Sequence, residues 1–327
     1  MNITILGTGA WGTALAIALS RHHNVQLWGR DAQQVGTIAA TRENSRYLPG
    51  IPLPSSITLT DDLAAALQNT DLVLSVVPTA ALRETLRAFA KLASQVPIIW
   101  ACKGFEKSSG KLAHQIAMEE LDSNTQCGVL SGPSFALEVA AGKPAALTLA
   151  AHDKLFALDM ARKLHSNRLR LYSSTDVAGV ELGGALKNVI AIAAGISDGL
   201  GLGNNARAAL ITRGLAETTR LGLRLGGQSE TFMGLTGVGD LILTTTGDLS
   251  RNRRVGMALA QGQSIADILQ NLGHVAEGVH TAPEVSRIAA AAGVEMPITE
   301  AVCAVIDGKL AAKDVVDYLM KREPKAE

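Results

Sequence analysis

A glycine-rich turn between a strand-like run and a helical pattern is the feature that most constrains how this chain can fold. The apolar run NITIL at residues 2–6 leads directly into Gly7-Thr8-Gly9-Ala10-Trp11-Gly12, and an Ala/Leu-periodic stretch and a second strand-like run follow. This order predicts a strand–turn–helix–strand unit of the kind that binds dinucleotides. In such a unit Gly7 permits the tight turn, Gly9 lets the backbone reach a pyrophosphate, and Gly12 lets the helix and strand pack closely. A glycine-rich turn without a ligand is the alternative.

The first half of the chain continues the alternation that this unit begins. Strand-like runs occur at residues 25–28, 72–77, 96–101, 127–131, 145–150 and 169–172, and helical patterns such as residues 10–21 and 80–92 separate most of them. This alternation predicts a mostly parallel sheet with helices on both faces, that is, an α/β doubly wound sheet of the Rossmann type. The sequence leaves open whether the later strands run antiparallel.

The second half has a different texture, because no strand pattern follows residue 175. Helical stretches are predicted at residues 177–198, 204–224, 229–233, 251–261, 264–271, 281–292, 298–306 and 311–321. Ser264 and Thr281 carry helix-start signals. We therefore expect a dinucleotide-binding Rossmann domain over residues 1–175 and an all-α domain for substrate binding and catalysis over residues 176–327.

Charge balance and apolar patterning exclude several classes of protein. Thirty basic residues offset thirty acidic ones, so a nucleic-acid partner would need a local basic patch. Lys187 and Asp198 interrupt the most apolar stretch and leave ten residues between them, too few to span a bilayer. The three cysteines share no motif spacing, which suits a reducing compartment without disulfides. We expect a cytoplasmic protein with no nucleic-acid partner, no stable membrane insertion and no metal site.

The end of the second strand-like run bears on which dinucleotide is bound. An NAD-specific site usually has an acidic residue there, about twenty residues after the glycines, which bonds the ribose hydroxyls. Here the chain reads Gly29-Arg30-Asp31. An arginine can clamp a 2′-phosphate and stack on adenine, so Arg30 favours NADP(H), while Asp31 leaves NAD(H) open. A solvated turn after a strand is the alternative.

Three segments are predicted where a doubly wound sheet binds its ligands, beyond the carboxyl ends of the strands. They are residues 76–80, 102–110 and 130–136. Lys103 follows a buried strand directly, which predicts its ammonium at the rim of the crevice. Gly132-Pro133-Ser134 is predicted to open a helix, with the proline near the first position and a hydroxyl beside exposed N–H groups. Each feature alone is typical of ordinary loops, but together they indicate a crevice that binds anions.

The stretch GLTGVGDLILTTTGDLSRNRRVG at residues 234–256 is the most informative part of the second half. Asp240 follows flexible glycines in an otherwise apolar run, and Ser250 is predicted to cap a helix that begins Arg251-Asn252-Arg253-Arg254. Arginines are disfavoured at the positive end of a helix dipole, and clustering them there makes sense if a phosphate is bound. A nucleic-acid patch competes, but no aromatic residue interleaves with these arginines.

The motifs GTGAWGTALA, WGRD, YLPG, ACKGFE, SGPSFA, ELGGALKNVIAIAAG, GVGDLILT and SRNRRVG, in this order, cover nearly the whole chain. Taken together they resemble bacterial NAD(P)-dependent glycerol-3-phosphate dehydrogenases. The resemblance implies a Rossmann domain followed by a helical domain, a homodimer, and interconversion of dihydroxyacetone phosphate and sn-glycerol 3-phosphate at the entry to phospholipid synthesis. One departure is Ala10, where many members have serine.

The resemblance also implies residue roles. Lys187 would be the proton donor or acceptor, with the substrate held by Lys103, Gly132, Ser134, Asn188, Asp240, Thr244, Ser250, Arg251 and Asn252. The cofactor would contact Gly7, Gly9, Ala10, Trp11, Gly12, Arg30, Lys103, Ala136, Arg251, Val275 and Glu277.

Two other functions compete with this one. An oxidoreductase for a 3-hydroxy acid or sugar acid would not need the arginine cluster at residues 251–254, and a non-catalytic NADP(H) sensor would have no reason to keep Lys187, Asp240 and Lys103 together. Lys187 could also merely extend to the edge of its helix. Reduction of a ketone, however, requires a proton donor at the oxygen, and a lysine on a rigid apolar helix suits that role.

Overall fold

The computed structural model describes residues 1–107, 109–272, 276–321 and 323. The chain divides into two compact units. The first unit comprises Met1–Glu106 and Lys111–Val177, and the second comprises Lys107–Gly110 and Ala178–Glu327.

One eight-stranded sheet forms the first unit. Its strands are β1 (Asn2–Leu6), β2 (Asn24–Trp28), β3 (Thr58–Thr60), β4 (Leu72–Ser75), β5 (Ile98–Trp100), β6 (Cys127–Ser131), β7 (Ala145–Ala150) and β8 (Leu169–Ser174). They lie in the order β3-β2-β1-β4-β5-β6-β7-β8, and every neighbouring pair is parallel except β6 and β7. The predicted α/β doubly wound fold is confirmed, and the antiparallel entry of β7 answers the question that the sequence left open.

Predicted and observed strands differ mainly at their ends, and β2 and β8 extend beyond the predicted runs 25–28 and 169–172. The runs at residues 2–6, 127–131 and 145–150 match their strands residue for residue, whereas the predicted runs 72–77 and 96–101 extend past the ends of β4 and β5. An apolar run in the sequence indicates buried side chains, and side chains remain buried beyond the last residue that pairs with a neighbouring strand. The edge strand β3 was missed because its three residues are exposed or half-buried and form no apolar run.

Seven helices cover the sheet: α1 (Ala10–Leu19), α2 (Ala32–Thr41), α3 (Leu63–Ala66), α4 (Thr79–Ala93), α5 (Ala113–Glu120), α6 (Ala136–Ala140) and α7 (Lys154–Leu164). The core is formed by apolar side chains of the strands and by helices such as α1, in which seven of ten residues are buried. This packing holds the turn between β1 and α1 on a rigid base.

The second unit is helical throughout its described part. Its helices are α8 (Val177–Gly199), α9 (Gly203–Arg224), α10 (Ser229–Phe232), α11 (Asp240–Thr246), α12 (Arg251–Ala260), α13 (Ile265–Leu272), α14 (Glu277–Ala292), α15 (Pro297–Ile306) and α16 (Val315–Met320), with a π-helical turn at Leu235–Gly239 and a 3₁₀ turn at Ala312–Asp314. The predicted all-α class is confirmed. The π turn and α11 were missed, because the glycines of residues 234–239 indicate a loop.

Two predicted helix starts had different outcomes. Ser264 accepts a hydrogen bond from the Asp267 N–H at 3.2 Å, so it caps α13 as predicted. Thr281 does not start a helix, because α14 already begins at Glu277 and Thr281 lies inside it. The first turn of α14 is held by the Gly278 N–H, which donates to the Asn252 side chain at 3.0 Å. The local sequence gives no sign of that tertiary contact.

Close packing encloses α8 at the centre of the second unit. A methyl group at Gly195 would overlap the Arg253 carbonyl, and one at Gly256 would overlap the Ile192 carbonyl, so α8 and α12 meet backbone to backbone. Contrary to the expectation from its charges, α8 is long and apolar enough to cross a membrane, with a mean hydropathy of 1.5 in its most apolar window. Since 94% of that window is buried inside the protein, α8 is the core helix of this unit.

Candidate functional site

The turn between β1 and α1 has the backbone geometry that close approach of a ligand requires. Gly7 adopts φ +121°, and a methyl group there would lie 2.8 Å from the Val76 carbonyl oxygen. A methyl group at Gly12 would overlap the Gly7 carbonyl, whereas one at Gly9 would meet nothing within 4 Å. Gly7 and Gly12 are therefore required by the protein's own packing, and Gly9 opens to the outside.

The N-terminus of α1 is suited to an anion. Gly9 is its N-cap residue and supplies no side-chain cap. Within the described residues, the backbone N–H groups of Gly9, Ala10, Trp11 and Gly12 donate to no protein acceptor. Free N–H groups at the positive end of a helix dipole bind phosphates, so these residues fit the pyrophosphate of a dinucleotide.

Arg30 and Asp31 have different roles at the end of β2. The Asp31 carboxylate accepts a hydrogen bond from the Gln34 N–H at 3.1 Å and caps α2. Arg30 is exposed, and its guanidinium has no hydrogen-bond or ion-pair partner in the described part of the chain. Asp31 is thus occupied by the helix, and Arg30 is available to a ligand.

Three predicted residues of the first unit converge on one carbonyl. The Lys103 ammonium donates to the Gly132 oxygen at 3.3 Å, and the Ser134 hydroxyl donates to the same oxygen at 3.0 Å. Gly132 has φ +133°, and a methyl group there would lie 3.2 Å from the Leu147 Cα. The helix predicted to open at Pro133 begins instead at Ala136, with Phe135 as N-cap residue.

Lys187 lies in a buried polar cluster of the second unit. Its ammonium donates to the carboxylate of Asp240 and, at 2.9 Å, to the hydroxyl of Thr244. The Thr244 hydroxyl donates in turn to the Asp240 backbone carbonyl at 2.6 Å. Lys187 is 8% exposed and Asp240 is 0% exposed. A small part of Lys187 is therefore exposed, whereas Asp240 is completely enclosed.

The amide of Asn188 is held by neighbouring helices. Its oxygen accepts from the Asn252 amide at 3.0 Å, and its nitrogen donates to the Glu277 carboxylate at 3.4 Å. The Asn252 oxygen accepts from the Gly278 N–H. Asn188, Asn252 and Glu277, all predicted site residues, thus form one chain of hydrogen bonds, whereas the predicted contact Val275 lies outside the described residues.

The arginines that begin α12 differ in whether they have partners within the protein. Ser250 caps this helix by accepting from the Arg253 N–H at 3.3 Å, as predicted. Arg253 is paired with Asp198 at 2.7 Å and Asp248 at 2.9 Å, and Arg254 donates to the Asp248 carbonyl at 3.0 Å. Arg251 is exposed and has no described protein partner. The prediction that the whole cluster awaits a phosphate is thus too broad, and Arg251 is the arginine left available.

Asp198 and Asp248, which hold the arginines of α12, are not predicted as site residues from the sequence. Asp198 interrupts the apolar pattern of α8, and a lone carboxylate within such a helix is itself a sign of a buried cationic partner. Nothing local signals that Asp248 meets Arg253. No group of three or more His, Cys, Asp or Glu side chains within the described residues could hold a metal ion.

Two family models match the chain. One, described as the N-terminus of NAD-dependent glycerol-3-phosphate dehydrogenase, matches residues 2–157, and the other, described as its C-terminus, matches residues 176–317. Glycerol-3-phosphate dehydrogenases [NAD(P)+] from Nitrosospira multiformis and Dechloromonas aromatica are 59% and 57% identical, each over 100% of this chain and 99% of the relative. A crystal structure of glycerol-3-phosphate dehydrogenase from Coxiella burnetii has a TM-score of 0.93 at 42% identity, covering 98% of this chain and 99% of that one.

Proposed function

The chain belongs to the NAD-dependent glycerol-3-phosphate dehydrogenase family, and from this premise we propose that it interconverts dihydroxyacetone phosphate and sn-glycerol 3-phosphate with Lys187 as the proton donor and acceptor. It is an oxidoreductase that uses NAD(H) or NADP(H). We infer that the reductive direction supplies glycerol 3-phosphate for phospholipid synthesis in the cytoplasm.

The observation that carries the proposal is the fixed position of the Lys187 ammonium. Hydride transfer to the ketone leaves negative charge on its oxygen, so a proton donor must be within hydrogen-bond reach of that oxygen. Lys187 has three N–H donors, and the Asp240 carboxylate and the Thr244 hydroxyl accept two of them. We propose that the same ammonium also donates to the substrate oxygen. Asp240 favours the charged form of the lysine and fixes its direction.

Arg251 supports a phosphorylated substrate. It stands at the first position of α12 without a described protein partner, where the helix dipole and the guanidinium would act on the same anion. We assign the substrate phosphate to Arg251, with the polar groups of Ser250 and Asn252 beside it. The substrate would further contact Lys103, Gly132, Ser134, Asn188, Asp240 and Thr244.

The fit of the glycine turn supports a dinucleotide, which would supply or accept the hydride when bound. Gly7, Gly9, Ala10 and Gly12 would hold its pyrophosphate through the free N–H groups of α1. We propose that Arg30 makes NADP(H) the preferred cofactor, because it is available and Asp31 is engaged as a helix cap. Trp11, Lys103, Ala136, Arg251, Val275 and Glu277 complete the proposed contacts.

The two parts of the chain would have different functions. Residues 1–175 would bind the dinucleotide, and residues 176–327 would bind the substrate and supply the proton. We also propose that the protein forms a homodimer and acts on its small phosphorylated substrate without a nucleic-acid partner. Sedimentation equilibrium of the purified protein measures whether it forms a homodimer.

One assay tests the function against its competitors. The protein should oxidise NADPH when dihydroxyacetone phosphate is added, and unphosphorylated dihydroxyacetone should be a far poorer substrate. Equal turnover of a 3-oxo acid would favour the hydroxy-acid oxidoreductase. If the protein binds NADPH but turns over no ketone, the result would favour a non-catalytic NADP(H) sensor.

A further inference from the structure

The segment between α2 and β3 contains the motif NSRYLPG, to which the proposed function assigns no role. This segment is tied to itself and to the core of the first unit. The Leu53 N–H donates to the Arg42 carbonyl at 2.7 Å, and Glu43 pairs with Pro52 in an isolated antiparallel bridge. Leu48 and Leu53 are buried in the core. The segment is therefore a firm support for any side chain that it carries.

Asn44 is the residue that this segment presents to the glycine turn. Its backbone carbonyl accepts from the N–H groups of Tyr47 at 3.2 Å and Leu48 at 2.8 Å, which fixes its backbone. Its side chain is 1% exposed. The amide nitrogen donates to the Thr8 carbonyl at 2.9 Å and to the Thr13 hydroxyl at 2.8 Å. One side chain thus joins the glycine turn to the first turn of α1.

A second amide holds the same carbonyl. The Gln34 side-chain nitrogen donates to the Thr8 carbonyl at 3.1 Å, and the Gln34 oxygen accepts from the Thr8 hydroxyl at 3.2 Å. In a planar trans peptide, the carbonyl of one residue and the N–H of the next point to opposite sides, and no cis peptide occurs in the chain's described residues. Holding the Thr8 oxygen on the side of Asn44 therefore directs the Gly9 N–H to the other side.

We propose that Asn44 is a positioning residue for cofactor binding, which fixes the peptide between Thr8 and Gly9 so that the Gly9 N–H faces the phosphates of the dinucleotide. This inference rests on the proposed function, because it takes the glycine turn as the cofactor site. It explains how the Gly9 N–H, which lies on the open side of the turn and has no acceptor among the described residues, is held in one orientation.

The other end of the Asn44 amide shows that the nitrogen is the atom for which an asparagine is needed here. Its oxygen is buried and has no donor among the described residues. A leucine has nearly the same shape and would remove this unpaired oxygen, at the cost of the donors to the Thr8 carbonyl and the Thr13 hydroxyl. An asparagine at this position therefore has an unpaired oxygen, which is unfavourable. Its advantage over leucine is the amide nitrogen, which donates to the Thr8 carbonyl and the Thr13 hydroxyl.

The test compares two variants by titration of NADPH fluorescence. Asn44→Leu removes the donor to the Thr8 carbonyl at similar volume. The control, Thr4→Val, removes another buried side-chain donor in the same unit, the Thr4 hydroxyl that donates to the Ala66 carbonyl at 2.7 Å. We expect Asn44→Leu to raise the Kd for NADPH about tenfold or more, since an oriented donor to a phosphate is lost. Thr4→Val should lower the melting temperature and leave that Kd unchanged.

Steady-state kinetics adds a second readout. Asn44→Leu should raise KM for NADPH while kcat at saturating NADPH and KM for dihydroxyacetone phosphate stay within about twofold of the wild type, because proton transfer and phosphate binding use other residues. Gln34→Leu, which removes the second donor from a half-buried position, should raise Kd in the same direction. If Asn44→Leu does not fold, the inference is tested by comparing the Kd for NADPH of Gln34→Leu with that of Thr4→Val.

Wild-type protein that binds neither NADPH nor NADH would overturn the proposed function and this inference together. Normal wild-type binding with an unchanged Kd in Asn44→Leu, or in Gln34→Leu where that variant decides, would overturn the inference alone. An equal rise of Kd in Thr4→Val would also overturn it, because loss of stability would then explain the effect.

Discussion

Lys187 and Asp240 form an ion pair in which Asp240 is completely buried and the Lys187 side chain keeps a small exposed fraction. The pair joins the core helix α8 to the first residue of α11, and Thr244, one turn along α11, contacts both partners. A buried pair of this kind seldom adds net stability. The difference in burial between the two side chains is consistent with the proposed role of Lys187 as a proton donor.

Lys187→Met tests the role of the ammonium at nearly constant side-chain length. We expect the variant to bind NADPH normally and to lose kcat by at least about 10²-fold, the lower range for general acid catalysis. Stability should also fall by about 3–5 kcal/mol, since Asp240 is left buried and unpaired. Stopped-flow reduction of dihydroxyacetone phosphate and fluorescence titration of NADPH measure the two functional effects.

A double variant separates catalysis from stability. Lys187→Met with Asp240→Asn removes the unpaired charge, so the free energy of unfolding should recover while turnover stays low. If turnover recovers together with stability, Lys187 acts only by supporting the fold, and the proton must come from another group.

The sequence could predict both positions of this pair but not their contact. Lys187 stands out as a charge on an apolar helix, and Asp240 as a charge after glycines. The contact between them depends on the π turn and α11. Local patterns conceal these elements because a glycine there serves close packing: a methyl group at Gly237 would lie 2.0 Å from the Phe232 carbonyl oxygen. Glycines that indicate a loop in the sequence are helix contacts in the structure.

The arginines of α12 show the same limit. Their number at a helix start predicts an anion site. Which of them have protein partners, however, depends on Asp198 and Asp248. Asp198 lies 55 residues earlier in the chain than its partner Arg253. Sequence patterns can therefore locate a site and name its charged residues, and only the tertiary structure shows which charges are already neutralised.

Arg251→Ala should weaken binding of the phosphorylated substrate. KM for dihydroxyacetone phosphate should rise about tenfold or more, because a charge-assisted contact to the phosphate is lost. Dihydroxyacetone should remain an equally poor substrate of both proteins. Arg254→Ala is the matched control, since Arg254 is also exposed but donates to the Asp248 carbonyl. A normal KM in Arg251→Ala, or equal rises in the two variants, would contradict the assignment.

Arg30→Asp should change cofactor preference. The aspartate would lose the clamp on the 2′-phosphate and repel that phosphate, so kcat/KM for NADPH should fall about 10- to 100-fold more than for NADH. Asp31 should continue to cap α2, which keeps the local fold. The ratio of the two kcat/KM values is the measurement, and an unchanged ratio would make Arg30 part of a solvated turn.

Glu217 gives the second unit a predicted pH dependence of stability. Its carboxylate is 2% exposed and accepts from the N–H groups of Ile298 at 2.7 Å and Thr299 at 3.3 Å, at the start of α15. Burial raises the pKa of Glu217 to about 7, although these hydrogen bonds and the charge of Arg220 act in the opposite direction. The folded protein therefore binds a proton here that the unfolded chain releases near pH 4.5.

The sign of the effect follows from this raised pKa. The stability due to the protonated Glu217 is fully present below about pH 4.5 and is lost as the pH rises through about 7, a change of roughly 3 kcal/mol. Glutamine is neutral throughout, so the free energy of unfolding of Glu217→Gln, measured in urea between pH 5 and pH 8, should increase relative to the wild type as the pH rises. Glu300→Gln, an exposed change on the same helix α15, should follow the wild-type curve. Parallel curves for Glu217→Gln and the wild type would mean that Glu217 is already ionised at pH 5, with its hydrogen bonds to α15 outweighing its burial.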